Sequence, residues 1–184
     1  MLRYYITDRE GLGGIEPLLK NMERQILAGV DWIQVREKDL SARELLALAR
    51  RVVQLAGRTR VLINSRLDVA LASGAQGIHL PSNSPPPSQF KRLRPSLSVG
   101  VSCHNRAELI RAQEEGADYA LLGPVFPPLS KKTGSHGIGL KQFAELAAEV
   151  RIPVIALGGI TTESIPDCQR AGAAGVAGIS LFQA

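Results

Sequence analysis

Short apolar runs alternate with amphipathic stretches from one end of the chain to the other. Runs rich in Val, Ile and Leu at 2–7, 32–37, 61–64, 77–80, 98–102, 119–125, 153–158 and 175–181 predict strands buried on both faces. Between them, helical spacing of apolar residues covers roughly 15–28, 42–56, 67–73, 87–93, 106–115, 140–149 and 162–170. Ser41, with Glu44 three residues on, has the spacing of a capping box, and Thr161 or Thr162 opens the last helix. Strands that alternate with helices predict a parallel sheet, because parallel neighbours need a crossover between them.

A weak internal repeat bears on whether that sheet closes. Gly29-Val30-Asp31-Trp32-Ile33, Gly74-Ala75-Gln76-Gly77-Ile78, Gly116-Ala117-Asp118-Tyr119-Ala120 and Gly172-Ala173-Ala174-Gly175-Val176 each place a helix-ending Gly before a strand. Their starts lie 45, 42 and 56 residues apart, so they introduce the second, fourth, sixth and eighth strands. Each interior layer of an eightfold barrel draws on alternate strands. The pattern favours a TIM (β/α)8 barrel over a doubly wound open sheet, with residues 1–184 as one domain. Only three residues follow the eighth strand, so the eighth helix is expected to be missing. The groove it would cover should be apolar and exposed unless another subunit or a rearranged segment fills it, and a homo-oligomer is expected.

Composition narrows the class. The chain has 184 residues, 45% of them hydrophobic and 21% charged, with enough apolar content for a packed core and no span long enough for a membrane helix. The N-terminus lacks a signal-peptide pattern, and Cys103 and Cys168 form neither a CxxC pair nor a disulfide framework. A cytoplasmic location fits. Net charge is +5, but the basic residues form no dense run and aromatics are only 4%, which argues against nucleic acid as partner and leaves anionic small molecules.

In such a barrel the ligand site lies at the C-terminal ends of the strands. Gln34, Arg36 and Lys38 have period two and should share one face of the second strand, with Ile33 and Val35 turned to the helices. Cations and an amide on an inner wall are costly without anionic partners, so they predict an anion site; the alternative is a salt-bridge layer with Glu37 or other acids near the mouth. Gly158 and Gly159 after strand seven would let backbone N–H groups approach a phosphate. The long stretch 123–137, with Lys131 and Lys132, suits a lid over phosphoryl groups.

Gln34-Val35-Arg36-Glu37-Lys38, Gly77-Ile78-His79-Leu80, Gly100-Val101-Ser102, Gly123-Pro124-Val125-Phe126-Pro127, Lys131-Lys132 and Gly158-Gly159-Ile160, in this order, resemble the thiamine phosphate synthase family and its sister group, the thiazole tautomerases. The resemblance runs from Tyr5 to Ser180. It implies a transferase that joins hydroxymethylpyrimidine diphosphate to thiazole phosphate and releases pyrophosphate. Gln34, Arg36, Lys38, Asn64, Ser102 and Lys131 would hold the pyrimidine and its diphosphate, with Arg36, Lys38 and Lys131 stabilising the departing group. Pro128, Leu129 and Ser130, with Gly159, Ile179 and Ser180, would bind the thiazole phosphate.

The sequence departs from the family pattern where carboxylates would hold magnesium. Those positions are Ser65 and Ser84, so any Mg2+ is expected to arrive with the substrate diphosphate. The segment Leu80-Pro81-Ser82-Asn83-Ser84 looks more like the tautomerase branch, yet Pro124 stands where one tautomerase subgroup has its catalytic His. A proton-shifting enzyme would need another acid–base group, for which His104 is the best-placed candidate, ahead of His136 on the lid. His79 reads as a residue packed in or near the barrel, and Cys103 as no nucleophile. A metal-poor binding or regulatory paralogue is the third possibility.

Overall fold

The computed structural model describes residues 1–127 and 136–183. Eight parallel strands close into a barrel in sequence order, the last pairing with the first. They are β1 (Leu2–Ile6), β2 (Trp32–Val35), β3 (Arg60–Asn64), β4 (Gly77–Leu80), β5 (Ser98–Cys103), β6 (Tyr119–Leu122), β7 (Val154–Leu157) and β8 (Gly175–Gly178). The helices between them are α1 (Arg9–Leu12), α2 (Ile15–Leu27), α3 (Ala42–Leu55), α4 (Leu67–Ser73), α5 (Pro87–Leu93), α6 (Arg106–Glu114), α7 (Gly139–Ala147) and α8 (Ile165–Arg170), and α9 (Ser180–Gln183) follows β8.

The alternation along each strand divides the apolar residues into two cores. Outward-facing side chains such as Ile33, Val35 and Ile63 pack under the helices with Leu45, Leu48 and Val52 of α3. Inward-facing Tyr4, Leu62, Tyr119, Leu121, Ile155 and Ala177, with partly buried Trp32, fill the barrel. The interior is therefore packed rather than hollow. Ser41 caps α3 as its spacing predicts, accepting from the Glu44 N–H while the Glu44 carboxylate takes the Ser41 N–H at 2.9 Å. The four repeat glycines, Gly29, Gly74, Gly116 and Gly172, have φ between 79° and 88°, a conformation that a Cβ disfavours.

Several strands end sooner than their apolar runs. β2 stops at Val35 because the Arg36 N–H leaves the sheet for Thr7 Oγ1, at 2.9 Å. β6 stops at Leu122, before the Gly123–Pro124 bond, and β8 gives way to α9. Among the described residues a full eighth helix is missing, and the four-residue α9 occupies its start. Among the described residues it is this rearranged turn that packs on the flank. Phe182 of α9 is 1% exposed, packs 5.5 Å from the Tyr5 ring and lies under the Arg3 guanidinium. Its carbonyl accepts from Asn21 and Gln25 of α2, which ties the turn across the β1–β8 flank.

Candidate active site at the barrel mouth

Side chains at the C-terminal ends of the strands line a cavity of about 250 Å³. Gln34, Arg36, Asn64, His79 and Ser102 supply its polar atoms, while Ile6, Leu121, Leu157 and Ile179 supply apolar wall. Arg36 continues the inward face of β2 and is half-buried, its charge felt by His79. Among the described residues no carboxylate pairs with its guanidinium. A larger recess of about 520 Å³ lies outside the barrel between α2 and α3, but its Arg51 is already paired with Glu16 at 2.6 Å. The mouth is the better place for an anion, because there the cation faces a cavity unpaired.

Glu37 shows why Arg36 stays free. It is buried, and accepts from Thr7 Oγ1 at 2.5 Å and from the Arg9 N–H at 3.2 Å. Burial raises its pKa, against the opposing effect of those hydrogen bonds. Thr7 thus donates to Glu37 while accepting from the Arg36 backbone. The salt-bridge layer between Glu37 and the β2 cations is not what forms. Instead, the acid holds the backbone that aims Arg36 inward.

Lys38 departs from the expected inner row. It sits in an exposed turn past β2 and borders a second cavity of about 230 Å³, with Glu37, Asn64, Ser65 and Arg66. Asn64 lines both cavities, so the two adjoin at the end of β3. Arg66 is committed to Asp68 at 2.6 Å.

Five polar side chains form one hydrogen-bonded chain through the barrel interior. Gln34 Nε2 donates to Tyr4 Oη at 2.9 Å, and Tyr4 Oη lies 2.9 Å from Tyr119 Oη. Tyr119 Oη is 3.2 Å from His79 Nδ1, and His79 Nε2 is 2.8 Å from Ser102 Oγ. Burial lowers the His79 pKa to about 3, with a smaller contribution from Arg36, and raises that of Tyr119 well above its usual value. The chain is neutral at pH 7. Sequence reasoning missed Tyr4, Thr7 and Tyr119. A signal for Tyr119 exists in Gly100, its register partner, where an added Cβ would fall 1.9 Å from the ring.

Gly158 and Gly159 follow β7 with φ of 98° and 62°. A Cβ at Gly159 would lie 2.3 Å from the Pro127 carbonyl oxygen, and one at Gly158 2.6 Å from Pro124 Cβ. These glycines therefore let the segment after β6 cross close over β7, and among the described residues no group accepts the Gly159 N–H. Ile179 faces the mouth cavity and exposed Ser180 starts α9 on the neighbouring strand. Pro128, Leu129, Ser130 and Lys131 lie outside the described residues.

His104 is not brought to the cavity. It is exposed, and both its backbone N–H and its Nδ1 contact the Glu108 carboxylate, at 2.8 and 2.9 Å. His136 is also exposed. Cys103 and Cys168 are buried free thiols, and burial pushes Cys103 up to about 12, too high for a nucleophile at neutral pH. Neutral side chains stand at the two positions where the family pattern has carboxylates. Asn64 and Ser65 are neutral and bonded to each other at 3.2 Å, Ser84 lies in the turn after β4, and no group of three His, Cys, Asp or Glu converges among the described residues. No described helix is long and apolar enough to cross a membrane.

The comparisons with known proteins agree with this architecture. Residues 3–182 match the family model described as thiamine monophosphate synthase. A protein of Aquifex aeolicus, provisionally named thiamine-phosphate synthase 2, is 46% identical over 97% of this chain and 96% of its own length. The thiamine-phosphate synthase of Methanoculleus marisnigri is 42% identical over 83% of this chain and 74% of its own. Among solved structures, thiamine phosphate pyrophosphorylase from Pyrococcus furiosus superposes with a TM-score of 0.86 at 30% identity, covering 100% of this chain and 91% of that one. Closed barrel, cationic mouth and end-to-end similarity agree, and the chain belongs to the thiamine monophosphate synthase family.

Proposed function

We propose that this chain is a transferase of thiamine biosynthesis that joins hydroxymethylpyrimidine diphosphate to thiazole phosphate and releases pyrophosphate. The observation that carries the assignment is the Arg36 guanidinium, facing the mouth cavity beside Gln34, Asn64 and Ser102 without a described carboxylate partner. In the reaction the thiazole ring nitrogen forms a bond to the methylene carbon of the pyrimidine as the C–O bond to the diphosphate breaks. The electron pair leaves with pyrophosphate, and positive charge develops at the carbon. Catalysis of such a step is a matter of alignment and of stabilising the departing anion. Arg36 supplies the charge, Lys38 adds a second cation at the adjoining cavity, and Lys131 belongs to the same group by family resemblance. Gln34, Asn64 and Ser102 hold the pyrimidine; Gly158, Gly159, Ile179 and Ser180 form the rim for the thiazole phosphate with Pro128, Leu129 and Ser130.

No acid–base step is required, which suits a cavity whose His79 is neutral. The proton-shifting alternative loses its candidate, since His104 is held by Glu108 away from the cavity. Magnesium, if it takes part, is carried by the diphosphate. The same reading includes a cytoplasmic location, consistent with two free thiols, and a homo-oligomer, to be checked by sedimentation.

Calorimetry with the pyrimidine diphosphate, with and without Mg2+, followed by thiazole phosphate, is the test. Binding and then turnover to thiamine phosphate are expected. No binding under either condition overturns the assignment, and binding without turnover would identify a regulatory paralogue.

A further inference from the structure

The peptide group between Asp8 and Arg9 is held at both of its polar atoms. Its carbonyl oxygen accepts from Gln183 Nε2 at 2.7 Å, and its N–H donates to both oxygens of the Glu37 carboxylate, at 3.2 Å each. An amide bonded at both ends is polarised, so each bond strengthens the other. The same unit reaches the turn after β2, because the Arg9 guanidinium pairs with Asp39 and lies 3.9 Å from Glu37. Asp8 and Arg9 therefore brace the stretch 36–39, which carries Arg36 and Lys38.

The brace continues to Arg36. Glu37 takes the Thr7 hydroxyl hydrogen, and the Thr7 oxygen is left to accept the Arg36 N–H. The other end of the brace is α9. This single turn starts beside Ile179, which lines the mouth cavity, and closes with the Phe182 N–H on the Ile179 carbonyl at 3.0 Å. Its last residue is Gln183. A contiguous path of hydrogen bonds thus runs from the C-terminal turn, through one peptide and one carboxylate, to the backbone of the cation at the mouth. Gln183 itself is not one of the described residues lining that cavity.

We propose that Gln183 is a positioning residue: through the Asp8–Arg9 peptide, Glu37 and Thr7 it fixes the backbone of Arg36 and so sets how tightly the mouth holds a phosphoryl anion. That the anion is a substrate diphosphate rests on the function proposed above; the path does not.

Calorimetry with inorganic pyrophosphate, amide hydrogen exchange and urea melts test the role. Gln183→Met keeps an unbranched side chain of similar length and removes the donor. Pyrophosphate affinity should fall about 5-fold or more, and the Arg9 amide should exchange at least about 5-fold faster. Gln25→Leu is the control, since it cuts a different bond to the same turn, from Gln25 Nε2 to the Phe182 carbonyl at 2.8 Å. It should lower the urea midpoint yet bind pyrophosphate within about 2-fold of wild type. In a Thr7→Val background, where the last link to Arg36 is already cut, Gln183→Met should cost less than about 2-fold. Gln183→Glu, a carboxylate of the same shape that cannot donate, should repeat the loss and stands in if Gln183→Met folds poorly. Equal affinities in wild type and Gln183→Met, a matching loss in Gln25→Leu, or losses that multiply in the Thr7→Val background overturn the proposal. If wild type does not bind pyrophosphate, the positioning role and the transferase assignment fall together. Binding without formation of thiamine phosphate sinks the assignment alone, because the role of Gln183 is read on pyrophosphate.

Discussion

Gly100→Ala is a single added methyl whose consequences can be worked out in advance. Its Cβ would fall 1.9, 2.3 and 2.4 Å from three carbons of the Tyr119 ring, where carbon atoms need about 3.5 Å or more. Neither side has room to give. Gly100 is paired through its strand to Tyr119 itself, and the ring is held edge-on by Trp32 at 4.8 Å and by Tyr4 at 5.9 Å. The ring must swing by more than an ångström, breaking its contacts with Tyr4 Oη and His79 Nδ1. Overpacking a tight core costs about 1–3 kcal/mol, and two lost hydrogen bonds add about 1 kcal/mol each, so a loss of about 3–5 kcal/mol is expected. Urea denaturation followed by Trp32 fluorescence measures it, because Trp32 is the sole tryptophan and touches the displaced ring. A double-mutant cycle with Tyr119→Leu assigns the cause: in that background the same methyl should cost less than about 1 kcal/mol. A loss under about 1 kcal/mol in wild type, or an undiminished loss beside Leu, would refute the reasoning.

Arg36→Met should weaken inorganic pyrophosphate binding at least about 10-fold while stabilising the unliganded fold by up to about 1 kcal/mol, since an unpaired cation costs energy until its anion arrives; calorimetry and urea melts read the two. For His79 the folded pKa, about 3, lies below its usual 6.5, so its contribution is complete above pH 6.5 and is lost as pH falls toward 3. Between pH 7 and pH 5 wild type should lose about 2 kcal/mol that His79→Gln does not, measured by urea denaturation at both pH values. Thr7→Val removes the donor to Glu37 and the acceptor for the Arg36 N–H; a stability loss of about 1–3 kcal/mol with weaker pyrophosphate binding is expected, and an unchanged affinity would show that Arg36 needs no such brace.

The barrel was legible because its evidence is periodic. Apolar runs, helix-ending glycines and capping residues each declare a local conformation, and their recurrence implies closure. The inward aim of Arg36 was legible for the same reason, since period two carries one residue past the end of β2, where Arg36 lines the same cavity as Gln34. Lys38 was misplaced because the period ends when the backbone does: once the Arg36 N–H turns to Thr7, parity no longer says where the next side chains point. Tyr4 and Tyr119 were invisible as functional residues because an apolar run with a tyrosine reads the same whether its hydroxyl is a buried link or a surface tip. Their meeting depends on register across β1 and β6, strands that are not neighbours in the barrel. That Phe182 is the residue packed on the β1–β8 flank was not legible, as three residues beyond a strand carry too short a pattern to declare a helical turn.

The neutral interior and the charged mouth depend on each other. A protonated His79 would donate from Nδ1 as well as Nε2, turn the Tyr119 hydrogen toward Tyr4 and leave the buried Tyr4 hydroxyl hydrogen without an acceptor. It would also have placed a second positive charge close to Arg36 in a low-dielectric cavity, where repulsion between like charges is strong. Tyrosine hydroxyls and a neutral imidazole satisfy the buried hydrogen bonds without adding charge. That leaves Arg36 as the one ionised side chain among the described residues lining the mouth cavity. Apolar walls at Ile6, Leu121, Leu157 and Ile179 lower the local dielectric around it. On the proposed reading two features keep this cation available for a phosphoryl group: the Glu37 carboxylate is taken up by Thr7 and the Arg9 N–H, and His79 is uncharged and adds no second cation.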